Sequence, residues 1–306
     1  MSSRQEVLVS GASGLVGRRL LASFARDRVA VRALTRRPEA APPLASPHRW
    51  LGWDGSRFPA DAVAGAAGVV HLAGEPVFAG RLTPARRARI LESRTDSTRS
   101  LAAAIGALPA PQRPRVLVSA SAVGFYGSRG DQILDEDAAP GEGFLAEVCR
   151  AWETEALAAA RHGVRCVVLR IGIVLAREGG ALPRMALPFR AGLGGRLGDG
   201  RQWFPWIHAD DLVSLIRAAL RDEGYTGAVN AVAPGPVRNA ELTRALARVL
   251  HRPAFFAVPA FALRAALGEL SGELLGSRRC VPRRALARGF VFAHPGIDAA
   301  LAAELA

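Results

Sequence analysis

Short apolar runs, each closed by glycine or a small polar residue, alternate along the first part of this sequence with longer stretches whose apolar positions recur every three or four residues. The run Val7-Leu8-Val9, within residues 6–10, predicts a buried strand. Residues 14–26, with Leu15, Leu20, Leu21 and Phe24 at helical spacing, predict a helix, and 29–34 alternates as a second strand. Further buried strands are expected at 69–72, 116–119 and 164–169, with helices over about 84–108 and 144–161 between them. Such alternation implies a parallel sheet covered on both faces, because a parallel crossover needs a helix-length connection. The ligand crevice of such a sheet lies beyond the carboxyl ends of its strands.

After Arg170 the pattern changes. Residues 179–200 are rich in glycine and carry two prolines, which predicts a loop-rich excursion of the kind that builds substrate walls. Helices are expected over 210–221, with Asp210 as its cap, and over 239–250, with a short strand at 228–230 between them. From about Pro253 onward the chain is apolar and helical with loops, as in a small lobe. The expected fold class is α/β: a Rossmann-type doubly wound parallel sheet with a smaller C-terminal substrate lobe. Residues 1–175 would form the dinucleotide domain, with about 205–232 returning to it. Residues 176–204 and 233–306 would form the substrate side.

The glycines at 11, 14 and 17 follow the first strand and open the first helix. Gly11 permits a tight turn, Gly14 clears the approach to a pyrophosphate, and Gly17 allows close packing of the helix. Backbone N–H groups of Ser13, Leu15 and Val16 then face phosphate at the positive end of the helix dipole. An NAD-preferring site places an acidic residue at the end of the second strand, about 20 residues on. This chain has Thr35-Arg36-Arg37 there, with Arg18 nearby. A guanidinium pairs with a 2′-phosphate where a carboxylate repels it, so NADP(H) is the expected cofactor.

The formal charge of +13 taken alone suggests a nucleic-acid partner, but all 40 basic residues are arginine and they are spread over the whole length without a tail or stripe. No specific nucleic-acid binding is expected. The polar N-terminus lacks a signal-peptide pattern and no apolar stretch is long enough for a membrane span, so a cytoplasmic protein without membrane attachment is expected. Three scattered cysteines offer no metal-ligand spacing, and no metal is expected.

The glycine loop, Val70-His71-Leu72-Ala73-Gly74, and Val118-Ser119-Ala120-Ser121-Ala122 with Phe125-Tyr126-Gly127 together resemble the extended short-chain dehydrogenase/reductase superfamily, which includes sugar-nucleotide epimerases and dehydratases. A closer resemblance, to an atypical "epimerase family protein" subgroup, rests on His71-Leu72-Ala73-Gly74-Glu75-Pro76, Glu92-Ser93-Arg94, Phe144 to Cys149 with Trp152-Glu153, Arg238-Asn239, and Val281-Pro282 with Gly289-Phe290 and Phe292. The resemblance implies cofactor contacts from Leu72, Ala73, Gly74, Arg94, Ser119, Ala120, Arg170 and Gly172. It implies substrate contacts from Tyr126, Arg201, Trp203, Trp206 and His208.

The superfamily's chemistry rests on a serine, a tyrosine and a lysine, the last two separated by one helical turn. Ser121 matches the serine, but alignment puts Leu145 at the tyrosine position and Cys149 at the lysine position, and the chain contains no lysine at all. Arg94 stands where the superfamily often has an asparagine. Replacement acids are sought among Ser121, Tyr126, Cys149 and Glu75, with His208 as a further titratable group. Cys149 is alternatively a packing thiol, Glu75 a loop residue, and His208 a structural hydrogen-bonder. The sequence thus supports an NADP(H)-dependent oxidoreductase or isomerase acting on a small molecule. Its alternative is a non-catalytic NADP(H)-binding sensor or scaffold.

Overall fold

A strand buried on both faces reads as a nearly continuous apolar run, and the strands beginning at Val7, Gly68 and Val116 open with such runs, with Ser10, His71, Ser119 and Ser121 as their buried polar positions. In the computed structural model, which describes residues 6–305, they lie at the centre of a parallel sheet. Its members are β1 (Val7–Ser10), β2 (Val31–Thr35), β3 (Arg49–Gly52), β4 (Gly68–His71), β5 (Val116–Ala122), β6 (Arg165–Ile171) and β7 (Gly227–Ala231). Their order is β7-β6-β5-β4-β1-β2-β3. The chain therefore reverses direction across the sheet between β1 and β4, where a doubly wound sheet opens its crevice. β3 has no counterpart among the expected strands. It is an edge strand with no fully buried residue, so it carries no apolar signature.

The helices lining this sheet are α1 (Leu15–Arg26), α2 (Pro84–Ala107), α3 (Phe144–Leu157) and α5 (Ala209–Arg221). Successive strand residues point to opposite faces. Val9, Val70 and Val118 pack with Leu20, Phe24, Leu212 and Ile216 of α1 and α5. Leu8, Val69 and Leu117 pack with Leu101 and Ile105 of α2 on the other face. Each fully buried aliphatic side chain contributes about 1.5–3 kcal/mol relative to exposure.

The stretch 179–200 is less irregular than expected. It contains α4 (Leu182–Arg190), which buries Leu182, Ala186 and Phe189 on one face. The glycines around it hid that helical spacing. With α6 (Asn239–Val249) and α7 (Ile297–Leu305), α4 encloses a second core of Leu175, Trp206, Leu242, Leu246 and Leu301. α5 begins one residue earlier than expected and its cap is His208, whose Nδ1 accepts from the Asp210 backbone N–H at 3.2 Å. Asp210 lies in the first turn instead, where a carboxylate favours the helix dipole.

Arg19, one turn into α1, ties the two cores together. Its guanidinium reaches Glu178 at 2.7 Å, Asp210 at 2.9 Å and Glu304 at 2.7 Å. Hydrogen bonding to Arg19 holds the Glu178 carboxyl down at about 2. Among the described residues, no helix is long and apolar enough to cross a membrane.

Candidate active site

The first βα turn is shaped by what its glycines exclude. Gly11 has φ +69°, and a Cβ there would lie 2.8 Å from the Leu72 carbonyl carbon. A Cβ on Gly17 would lie 2.3 Å from the Gly11 carbonyl oxygen, so the turn itself, rather than the sheet, forbids a side chain at that position. A Cβ on Gly14 would meet only the Gly11 oxygen at 3.2 Å, and otherwise open space. Ser13 and Gly14 are exposed, Leu15 and Val16 half-buried, and no side chain caps the first amides of α1. Arg18 donates to the Ser13 carbonyl at 2.8 Å. At the end of β2, Thr35 is half-buried while Arg36 and Arg37 are exposed, and neither arginine makes an ion pair among the described residues. Leu72 and Ala73 are half-buried and Gly74 exposed where the chain leaves β4 beside this turn.

Strand register builds a second structure at the carboxyl edge. Ser121 of β5, Arg170 of β6 and Asn230 of β7 lie in one row across three neighbouring strands. Arg170 forks onto Glu153 of α3 at 3.0 and 2.9 Å. Its remaining Nη1 donates to the Tyr126 hydroxyl at 2.9 Å and the Glu136 carbonyl at 3.2 Å. The guanidinium also stacks 3.5 Å from the centre of the Phe125 ring. Tyr126 donates to Asn230 Oδ1 at 2.7 Å, and Asn230 donates in turn to the Leu134 and Val281 carbonyls. Glu136 Oε1 accepts from the Asn230 and Arg284 backbone amides. Of this network, Glu153 entered the sequence reading only within a motif, Asn230 only as the end of the short strand at 228–230, and Glu136 not at all. A lone asparagine in the apolar run Ala228-Val229-Asn230 was the available signal.

This network changes the roles open to several residues. Tyr126 is fully buried, and burial pushes its hydroxyl well above the usual phenol range, so it has neither access to the crevice nor the acidity to act there. Ser121 donates its only proton to Glu153 at 2.7 Å, and Glu153 is ion-paired with Arg170. Ser121 can therefore only accept a hydrogen bond from a ligand; it cannot donate to a developing oxyanion. Arg170 has its side chain sealed among these partners and is not available to a cofactor. Cys149 is buried, which pushes its thiol up to about 11, so at neutral pH it is protonated and inert.

Other candidates are placed by packing. Ser119 is fully buried within β5, donating to the Ala120 carbonyl, and Ala120 is also buried. Gly172 is held by a hydrogen bond to Ala231, and a Cβ there would meet the Pro205 carbonyl at 2.9 Å, so its glycine serves a close backbone crossing. Trp206 is buried in the C-terminal core with its indole N–H on the Gly235 carbonyl. His208 is buried as a helix cap, with Nε2 3.0 Å from Glu304 and its ring 3.7 Å from that of His294. Neither faces a crevice. Trp203 is clasped between Arg238 and Arg279 and donates to Asp131 at 2.7 Å; Arg201 is exposed, with its carbonyl accepting from Arg238.

Two charged residues remain at the crevice beside Gly74. Glu75 is half-buried, donates its backbone N–H to the Ser93 hydroxyl oxygen at 3.1 Å, and has its carboxylate 3.8 Å from Arg86. Arg94 packs on Gly74, whose Cβ would lie 3.2 Å from the guanidinium carbon. One metal-like cluster exists among the described residues, His208, Asp210 and His294. Arg19 already pairs with Asp210, and the Asp210 amide occupies His208 Nδ1, so the cluster is committed to holding helices together.

The NAD dependent epimerase/dehydratase family matches residues 7–231, and a domain of unknown function matches 258–304. The chain is 42% identical over 304 residues to the epimerase family protein SDR39U1 homolog, chloroplastic, of Arabidopsis thaliana, covering 98% of this chain and 87% of that protein. It is 37% identical to epimerase family protein ML0860 of Mycobacterium leprae, covering 98% and 95%. Among solved structures, human epimerase family protein SDR39U1 (isoform 2), crystallised with NADPH, matches with a TM-score of 0.86 at 33% identity, covering 97% of this chain and 98% of that one. A turn whose glycines exclude side chains at the reversal of a doubly wound sheet, together with these matches over nearly the whole chain, places the protein in the NAD dependent epimerase/dehydratase family, within its atypical extended short-chain dehydrogenase/reductase branch.

Proposed function

We propose that this protein binds NADP(H) across the Gly11–Gly17 turn and acts as an oxidoreductase on a small molecule, without the tyrosinate chemistry of sugar-nucleotide epimerases. The observation that carries the cofactor reading is the β1–α1 turn, open at Gly14 and followed by amides without a side-chain cap, with Arg36 and Arg37 exposed at the end of β2 and without an ion pair among the described residues. The open space takes the pyrophosphate and the arginines take the 2′-phosphate. Binding of NADPH by the human relative supports the same reading. When bound, the nicotinamide supplies hydride exchange with a carbon of the substrate.

The chain's own groups at that point are Glu75, a carboxylate able to hold or accept a proton, and Arg94, a permanent donor. Ser121 offers lone pairs only. A phenolic base is missing from the crevice, since Tyr126 lies sealed below it. That same absence favours one second reading, a sensor that binds NADP(H) without turnover.

Two outcomes are expected. NADPH binds about tenfold or more tightly than NADH, a difference of about 1.4 kcal/mol, and Arg36→Ala removes most of it. Equal affinities in calorimetric titration would sink the assignment. Incubated with UDP-glucose or UDP-glucuronic acid, the purified protein gives no epimer, whereas a panel of small carbonyl compounds includes at least one that oxidises NADPH. Robust epimerisation would overturn the oxidoreductase reading, and silence across the panel with tight NADPH binding would favour the sensor.

A further inference from the structure

Arg94 sits where an arginine needs a reason. The inward stripe of α2 runs through Ile90, Arg94, Ser97, Thr98 and Leu101, and all but Arg94 are fully buried or nearly so. A charge on such a stripe is expensive unless it is paired. Yet Arg94 makes no ion pair among the described residues, although most surrounding arginines do. Its Nη1 donates to the Ile90 carbonyl at 3.0 Å and touches Ser93 Oγ at 3.4 Å. Its Nε and Nη2, which form the side-on fork, have no acceptor among the described residues.

The guanidinium is also held rigidly. Gly74 presses on it from the end of β4, and the Trp152 ring lies 5.1 Å from its carbon on the α3 side. Burial lowers its proton affinity, and the Glu75 carboxylate acts on it in the opposite sense from a distance, without a hydrogen bond or ion pair among the described residues. Cys149 occupies the helix position at which the resemblance to the superfamily puts a lysine. A cation is thus present beside that position, delivered from α2 instead of α3.

We propose that the Nε–Nη2 fork of Arg94 receives the carboxylate of the substrate, which makes that substrate a small oxo- or hydroxy-acid. A planar fork and a planar carboxylate match in two parallel charge-assisted hydrogen bonds. Such a ligand also supplies the directly paired counter-charge that Arg94 lacks among the described residues. The Arg94 side chain is oriented before binding, so little rotamer freedom is lost when the pair forms. The assignment rests on the NADP(H) reading, since the acid is to lie against the nicotinamide.

The test uses calorimetry on the full chain, first with NADP⁺ alone and then, at a cofactor concentration saturating for each variant, with oxamate. Malonamide serves as the uncharged control. Wild type is expected to bind oxamate and not malonamide. Arg94→Gln is expected to weaken oxamate about tenfold or more, and Arg94→Lys, which keeps the charge but loses the fork, by a smaller factor. Failure of the wild type to bind NADP⁺ defeats the cofactor reading, and this inference with it. Normal NADP⁺ binding with no oxamate affinity, or with malonamide bound as well as oxamate, defeats the inference alone. So does equal oxamate affinity in wild type and Arg94→Gln. A loss confined to NADP⁺ affinity in Arg94→Gln also overturns it, assigning the guanidinium to the cofactor. If Arg94→Gln fails to fold, Arg94→Lys decides: unchanged oxamate affinity there overturns the proposal.

Discussion

Replacing Arg170 with methionine is expected to destabilise the protein by about 3–5 kcal/mol, among the largest losses a single substitution produces. The physical reason is the charge left behind. Glu153 and Arg170 have side chains only 8% and 7% exposed, and they neutralise one another across two hydrogen bonds. Without the guanidinium, the Glu153 carboxylate is buried with, among the described residues, the Ser121 hydroxyl as its one remaining donor, and the Tyr126 hydroxyl loses one of its partners. Removing both charges together, in Arg170→Met with Glu153→Leu, should recover most of the loss, because an apolar pair leaves no uncompensated ion. Urea denaturation of the two variants checks this. A single variant within about 1 kcal/mol of wild type would mean that water reaches the pair, contrary to its burial.

The second large effect separates two glycines that look alike in the sequence. Gly14→Val is expected to abolish measurable NADPH binding, a loss of about a hundredfold or more, while leaving the midpoint of thermal unfolding nearly unchanged. The new side chain enters space in which the protein itself has only the Gly11 oxygen at 3.2 Å. Gly17→Val should instead prevent proper folding, since its Cβ would sit 2.3 Å from that same oxygen and 2.6 Å from the Ala12 α-carbon. Circular dichroism melts and calorimetric titration distinguish the cases. Normal NADPH binding by Gly14→Val would show that the phosphates lie elsewhere.

A good deal of this was legible in the chain. Apolar runs buried on both faces marked β1, β4, β5 and β6, because a central parallel strand packs against helices on both sides. The glycine turn and the arginines after β2 are contiguous in sequence, so local spacing sufficed to find them. Family membership was legible for the same reason: its motifs are short and local. What local spacing could not reach was orientation. Ser121, Tyr126, Cys149 and Arg170 were read from motifs as candidates for the catalytic or cofactor site, but whether each faces a ligand or the interior depends on register and on what packs behind it. The row Ser121, Arg170 and Asn230 exists only once β5, β6 and β7 are aligned, and Glu153 and Glu136 complete it from distant segments.

The same distinction accounts for the C-terminal residues. Trp206 and His208 were substrate contacts by resemblance, His208 alternatively a structural hydrogen-bonder; the helix from Ile297 to Leu305 packs in the same core as Trp206, and Glu304 reaches His208 from nearly 100 residues away. Periodicity and turn chemistry are properties of neighbouring residues, and by themselves they determined the sheet apart from its β3 edge, its lining helices and the nucleotide turn. Burial, proton ownership and the pairing of charges are properties of the folded interior. Only the tertiary structure decided that Tyr126 and Ser121 serve the frame while the unpaired fork of Arg94 lies at the crevice, because a charge is satisfied or left wanting by atoms that the sequence does not place beside it.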